Sequence, residues 1–166
     1  SGFPDKNYFL APIDGYPSMD YKSITDEMKT SLNFAEYIDI FGALSLDDYY
    51  KTDPHWKQES ILPIAQIIAE KIGIEIDGTF TEETSEKSFY GAYYGQAALD
   101  FEPDTLKYLT NDTIESCTVT SYNSGKPIAV PFYDLEKMRG KDPYEMYLNG
   151  SDAFIVIENP LAKTDR

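Results

Sequence analysis

The run from Gln58 to Ile72 constrains this chain more than any other stretch. Ile61, Ile64, Ala65, Ile68, Ala69 and Ile72 recur at helical spacing, and Leu62 and Ile67 widen the apolar face. Ser60 is placed to cap the helix, and Pro63 falls in its first turn, where no intrahelical N–H bond is lost. Gly73 ends it. Around this helix the patterns mix. Residues 7–11 (NYFLA) read as a short strand, 21–36 as a second helix, and 37–46 as a strand leaving into a loop. Later segments near 87–94, 115–122, 127–133 and 153–157 are strand-like, the last (AFIVI) apolar enough to read as a core strand. Asn123-Ser124-Gly125 between two of them predicts a hairpin. Helix early and strand late give a mixed α/β class. The 166 residues suit one domain, 1–166.

Charge narrows the partners. The formal net charge is −15, which repels phosphate backbones and anionic membrane surfaces, so nucleic acid is not expected. No apolar run is long enough to span a bilayer. Nothing in the opening residues reads as a signal peptide, so the expectation is either a cytoplasmic protein or an extracytoplasmic one, secreted or membrane-anchored, whose leading segment lies outside this sequence. Cys117 is the single cysteine, so neither a disulfide scaffold nor a cysteine-rich zinc site forms within one chain.

His55 is the single histidine, so any imidazole chemistry uses it. It lies in Asp53-Pro54-His55-Trp56. Asp53 precedes a proline and is biased to extended backbone, where side chains two apart project to the same side. A carboxylate beside a histidine fixes its tautomer and stabilises the imidazolium formed in proton transfer. Three readings of the pair stand open: a structural hydrogen bond or surface pair, the commonest use of such residues; a general base; or a metal site completed by Asp47 and Asp48, whose spacing matches no known loop. Trp56 would wall one side of the site. The aromatic run Phe89 to Tyr94 reads mainly as core, with Tyr93 and Tyr94 the members placed to face a cleft. Ser60, Ser88, Ser121, Ser124 and Ser151 sit at caps, strand edges and turns, and none fits a nucleophile. Cys117 lies in a strand-like segment, where a free cysteine behaves as a small hydrophobe.

Asp48-Tyr49-Tyr50-Lys51-Thr52-Asp53-Pro54-His55-Trp56 resembles the Asp-His-His-Trp signature of the DHHW family, found mainly in Firmicutes. Pro54 stands at the second signature position, and the Asp-x-His-Trp form is similar to that of alginate O-acetyltransferases. Pro4-Asp5-Lys6-Asn7-Tyr8, Phe89-Tyr90-Gly91-Ala92-Tyr93-Tyr94 and Glu158-Asn159-Pro160 resemble further segments of that family. The resemblance implies an SGNH-hydrolase-like, flavodoxin-like sheet with flanking helices, incomplete at the C-terminus. It implies a Ser-His-Asp triad in which His55 is general base and Asp53 its orienting partner, acting on an acyl ester. The serine would follow a strand beyond the polar link Glu158 to Arg166, so the chain is expected to lack it.

The expected protein is thus part of an extracytoplasmic acyl esterase or O-acetyltransferase acting on cell-envelope polysaccharide. Catalytic residues would be Asp53 and His55; substrate contacts would come from Trp56, Tyr93 and Tyr94; no metal or cofactor is called for. The partner would be a carbohydrate or acylated glycan. An unfinished sheet would leave an open edge through which a homodimer could form. The competing expectation is a non-catalytic carbohydrate-binding or structural module on the same scaffold.

Overall fold

A computed structural model describes residues 4–76, 78–98 and 100–162. The first three residues, and residues 163–166 of the polar link, lie outside them. The chain divides into two compact units, 1–77 and 78–166.

The first unit is helical. It contains α1 (Lys6–Asp14), α2 (Tyr21–Ser31) and α3 (Leu62–Ile72), with short 3-10 turns at Phe41–Ala43, Leu46–Asp48 and Gln58–Ser60. α1 replaces the strand expected at 7–11. Asp5 caps it by accepting the Tyr8 N–H at 3.0 Å, and Gly15 closes it in the left-handed conformation at φ 69°. These end signals outweigh the β propensity of Tyr8 and Phe9. α2 has its own cap, Asp20, and ends five residues before the expected boundary; none of its residues is buried. The strand expected at 37–46 is absent. Ile40 and Leu44 instead send their side chains into a core with Tyr49 and Ile64, against which Phe9, Ile38, Trp56 and Ile67 pack.

α3 is the predicted helix, with corrections at its start. Ser60 belongs to the preceding 3-10 turn, and Ile61 occupies the cap position without a side-chain bond. Pro63 is in the first turn and Gly73 ends the helix at φ 74°. Of the wide apolar face only Ile64 and Ala69 are buried, while Ile68 and Ile72 remain 37% and 50% exposed.

The second unit holds the strands β1 (Thr81–Phe89), β2 (Asp104–Thr110), β3 (Thr118–Ser121), β4 (Ile128–Val130) and β5 (Ile155–Glu158), and the short helices α4 (Ala92–Ala97) and α5 (Asp112–Ser116). They form two small sheets, β1-β2 and β4-β3-β5. The fold is mixed α/β, as expected, but every ladder among the described residues is antiparallel, whereas a doubly wound sheet is mostly parallel. The expected hairpin at 123–125 joins β3 to β4. The strand expected at 87–94 starts earlier and stops at Phe89, where Gly91 opens α4. The segment near 115–122 begins as helix α5, and Cys117 is its C-cap. β5 occupies the expected place, yet none of its residues is buried; it is an outer strand, not a core one.

β1 carries an irregularity between Thr84 and Ser88. The buried Ser85 hydroxyl accepts the Lys87 N–H at 3.1 Å and holds that distortion. The core of the unit rests on Phe89, Leu106, Met146 and Val119, surrounded by tyrosines. Tyr133 and Tyr147 donate their hydroxyls to the carbonyls of Leu109 and Lys107, alternate residues of β2, at 2.8 and 2.6 Å.

Gly73→Ala should lower stability by about 1–2 kcal/mol, because the left-handed backbone is unfavourable for any residue with a Cβ. No atom lies within 4 Å of a Cβ placed there, so the cost is conformational alone. Gly42→Ala, equally unobstructed and without a left-handed φ, should be close to neutral. Thermal unfolding of the two variants checks the contrast.

Candidate active site

The site grows from one loop of the first unit. Asp48 and Lys57 begin and end it, with the Lys57 N–H donating to the Asp48 carbonyl at 2.8 Å. Tyr49 and Trp56 form an antiparallel bridge, and the Tyr50 N–H donates to the His55 carbonyl at 3.2 Å. The segment is therefore a one-bridge hairpin with residues 51–55 bent at its tip. Tyr49, Tyr50, Thr52 and Asp53 are buried. Lys51, Pro54 and His55 are exposed.

Asp53 and His55 meet at the tip. Asp53 Oδ1 lies 2.5 Å from His55 Nδ1 and accepts the His55 backbone N–H at 3.0 Å. The backbone bond makes an Asx turn, in which a carboxylate binds the N–H two residues on. The turn, not the extended backbone anticipated from Pro54, brings the two side chains to one side. Their exposures differ sharply: the Asp53 side chain is 7% exposed and that of His55 52%. A carboxylate is thus held out of water beneath a ring that solutes can reach.

Below the tip, Tyr49 is the strut. Its hydroxyl donates to the buried Pro4 carbonyl at 2.7 Å. Burial pushes its pKa up to about 12, against the opposing pull of a hydrogen bond from Trp56. The Trp56 ring meets Tyr49 edge-on at 6.4 Å and packs on the core. Trp56 therefore supports the site from inside as well as adjoining it, a role that its position after His55 did not reveal. Tyr49 and Lys6, whose Nζ donates to the Lys51 carbonyl at 3.2 Å, were not singled out in the sequence; no short motif marks a contact across such a separation.

The remaining candidates lie in the second unit. Tyr93 and Tyr94 are on α4, half-buried. Tyr94 pairs with Tyr90, which precedes α4, at 4.5 Å between ring centroids, and Tyr90 is 46% exposed. Phe89 is fully buried, as expected of a core aromatic. Ser121 accepts the Asn123 N–H, and Ser124 donates to the Lys126 carbonyl. In the first unit the Ser60 hydroxyl bonds Asp48. Cys117 donates its thiol to the Thr113 carbonyl at 3.3 Å. Among the described residues, no group of three or more His, Cys, Asp and Glu side chains is arranged to hold a metal ion, and no helix is long and apolar enough to cross a membrane.

No family model matches the sequence, and no curated protein matches it either. Among solved structures, the chain superposes on a DHHW family protein from Eubacterium siraeum with a TM-score of 0.71 at 20% identity. The fold is similar to that of a DHHW family protein. The match covers 96% of this chain and 57% of the other, so the chain spans little more than half the length of that DHHW protein. At this identity the likeness is one of fold.

The loop is fastened at its start by Asp48. Burial alone would push the Asp48 carboxyl up, but bonds from the Ser45 hydroxyl and N–H, at 2.8 and 2.7 Å, together with the Ser60 hydroxyl and the Lys57 charge, hold it below its ordinary value of 3.8. Ser45 and Asp48 thereby form a reciprocal capping box. Since the folded value is the lower one, the stabilisation is complete above the unfolded value near 3.8 and is lost as pH falls through the folded one. Asp48→Ala should lower stability by about 1 kcal/mol at neutral pH, and the difference from the parent should shrink as pH drops below 3.8. Urea unfolding across that range measures it; a difference that does not change with pH would remove the charge from this account.

Proposed function

We propose that this chain is the Asp-His-bearing part of a DHHW family acyl-ester enzyme, an extracytoplasmic esterase or O-acetyltransferase acting on cell-envelope polysaccharide. One observation carries the reading: a buried Asp53 carboxylate engages Nδ1 of a half-exposed His55. The fold likeness to a DHHW protein and the Asp-x-His-Trp signature support it separately, one from backbone shape and the other from residue identity.

With Nδ1 turned to Asp53, Nε2 is the nitrogen that would exchange a proton with substrate. His55 would take the proton of a serine hydroxyl as that oxygen attacks the acyl carbon, then return it to the departing alcohol. Asp53 stays ionised and stabilises the imidazolium. The serine belongs to a segment outside this chain, in keeping with the 57% coverage of the DHHW structure. Water or a sugar hydroxyl then accepts the acyl group. SGNH-like architecture belongs to the same proposal, as do Trp56, Tyr93 and Tyr94 as contacts for an acylated glycan.

A second reading rests on the Tyr90–Tyr94 ring pair. Paired, partly exposed aromatic rings stack on sugars, so α4 would serve a non-catalytic carbohydrate-binding module.

Fluorophosphonate labelling of the full-length protein separates the two. An enzyme should be labelled on a serine outside residues 1–166, and His55→Ala should abolish the label. Ester turnover should fall on the order of 10⁴-fold or more in His55→Ala and about 10⁴-fold in Asp53→Asn. A folded full-length protein that takes no label, and whose glycan affinity survives His55→Ala but not Tyr94→Ala, is a binding module.

A further inference from the structure

The Asp53–His55 pair stands on a hairpin with a single bridge, Tyr49 to Trp56. One bridge cannot by itself fix the side-chain torsions of a bent tip. Two longer-range bonds add restraint, and both run to residues 4–6. The Tyr49 hydroxyl donates to the Pro4 carbonyl, and Lys6 Nζ donates to the Lys51 carbonyl, each across 45 residues of sequence. Residues 4–6 are themselves immobilised. Asp5 caps α1 through the Tyr8 N–H and accepts the Tyr21 hydroxyl at 2.6 Å. Tyr21, Tyr8 and Phe41 then close a cluster of edge-on rings with centroids 5.0 to 6.2 Å apart.

We infer that Tyr49 is a positioning residue for the Asp53–His55 pair, with Lys6 as the second anchor tying the loop to residues 4–6. Tyr49 touches no substrate in this account; it acts through the hairpin. While the hairpin is held, the Asp53 carboxylate stays buried beneath His55 and the ring keeps its proton on Nδ1. Once it loosens, water reaches the carboxylate and the ring samples both neutral tautomers. The inference rests on reading the pair as an acid–base site, but its test reads the ring and not the reaction.

His55 is the single histidine of the chain, so nitrogen-15 spectra of the imidazole contain one ring. In the 166-residue parent, at a pH where the ring is neutral, the proton should reside on Nδ1, and the Nδ1–H signal should be shifted downfield. Tyr49→Phe keeps the ring and its packing and deletes the hydroxyl. The expected result is loss of the Nδ1–H signal to solvent exchange, with the two nitrogen shifts drawn together. Lys6→Met should produce the same change to a smaller extent. A folded Tyr49→Phe chain with an unaltered His55 spectrum overturns the inference, as does a parent whose ring is already averaged. Should Tyr49→Phe fail to fold, Lys6→Met decides, because its bond lies at the surface: an averaged ring supports the clamp and an unchanged ring overturns it. An ordered pair in a full-length protein that cleaves no ester would remove the proposed function and leave the role of Tyr49 standing.

Discussion

A buried carboxylate that takes two contacts from one residue organises the first unit. Removing an ionised aspartate from water is costly unless hydrogen bonds replace its hydration. Asp53 Oδ1 offsets part of that cost with the backbone N–H of His55 at 3.0 Å and the ring nitrogen Nδ1 at 2.5 Å. The burial is made possible by what lies around it. Tyr50 and Thr52 are fully buried beside Asp53, Tyr49 joins the core under the hairpin, and the Pro4 carbonyl receives the Tyr49 hydroxyl. Loop, core and amino-terminal segment therefore form one dependency, with the carboxylate at its centre. A change anywhere in that chain of contacts is felt as hydration of Asp53, and so as freedom of the His55 ring.

The features legible in the sequence were those set by single residues or by strict periodicity. Gly73 ends α3 because a left-handed residue closes the last turn, and Pro63 sits in a turn that lacks N–H partners. Asn123 to Gly125 turns a hairpin for equally local reasons. The pairing of Asp53 with His55 was readable from their spacing, although an Asx turn produces it and not an extended backbone. The failures share a cause. At residues 7–11, aromatic β-formers disguised a helix whose caps, Asp5 and Gly15, were present in the sequence. No expectation covered β2, because its buried positions, Asp104 and Leu106, alternate but one is a carboxylate. Residues 153–157 looked like a core strand by apolarity alone, yet β5 is an outer strand with Phe154 beside it 60% exposed. Hydropathy gives the preference of a segment and not its place in a sheet.

Tyrosine explains much of the rest. The chain has fourteen, and several bond backbone carbonyls far away in sequence: Tyr49 to Pro4, Tyr133 to Leu109 and Tyr147 to Lys107. A tyrosine fills core volume while its hydroxyl satisfies a carbonyl that a short strand or isolated turn leaves without a ladder partner. Small sheets and one-bridge hairpins leave many such carbonyls. Burial pushes the hydroxyls of Tyr21 and Tyr49 up to about 12, so both remain protonated donors over the whole physiological range. Tyr49, Tyr133 and Tyr147 are thus put to structural use, separately from any surface for sugars.

The two contacts that Asp53 takes from His55 differ in what they require. An Asx turn needs only the backbone N–H of residue 55, and almost any side chain could occupy that position. The ring contact adds nothing to the turn. It replaces part of the hydration that the buried Asp53 carboxylate gives up, and it confines a side chain that is 52% exposed to one rotamer, an entropic cost of up to about 1 kcal/mol. Orientation of an imidazole, with its second nitrogen directed away from the carboxylate, is what the contact does supply, and orientation is the property an acid–base group needs.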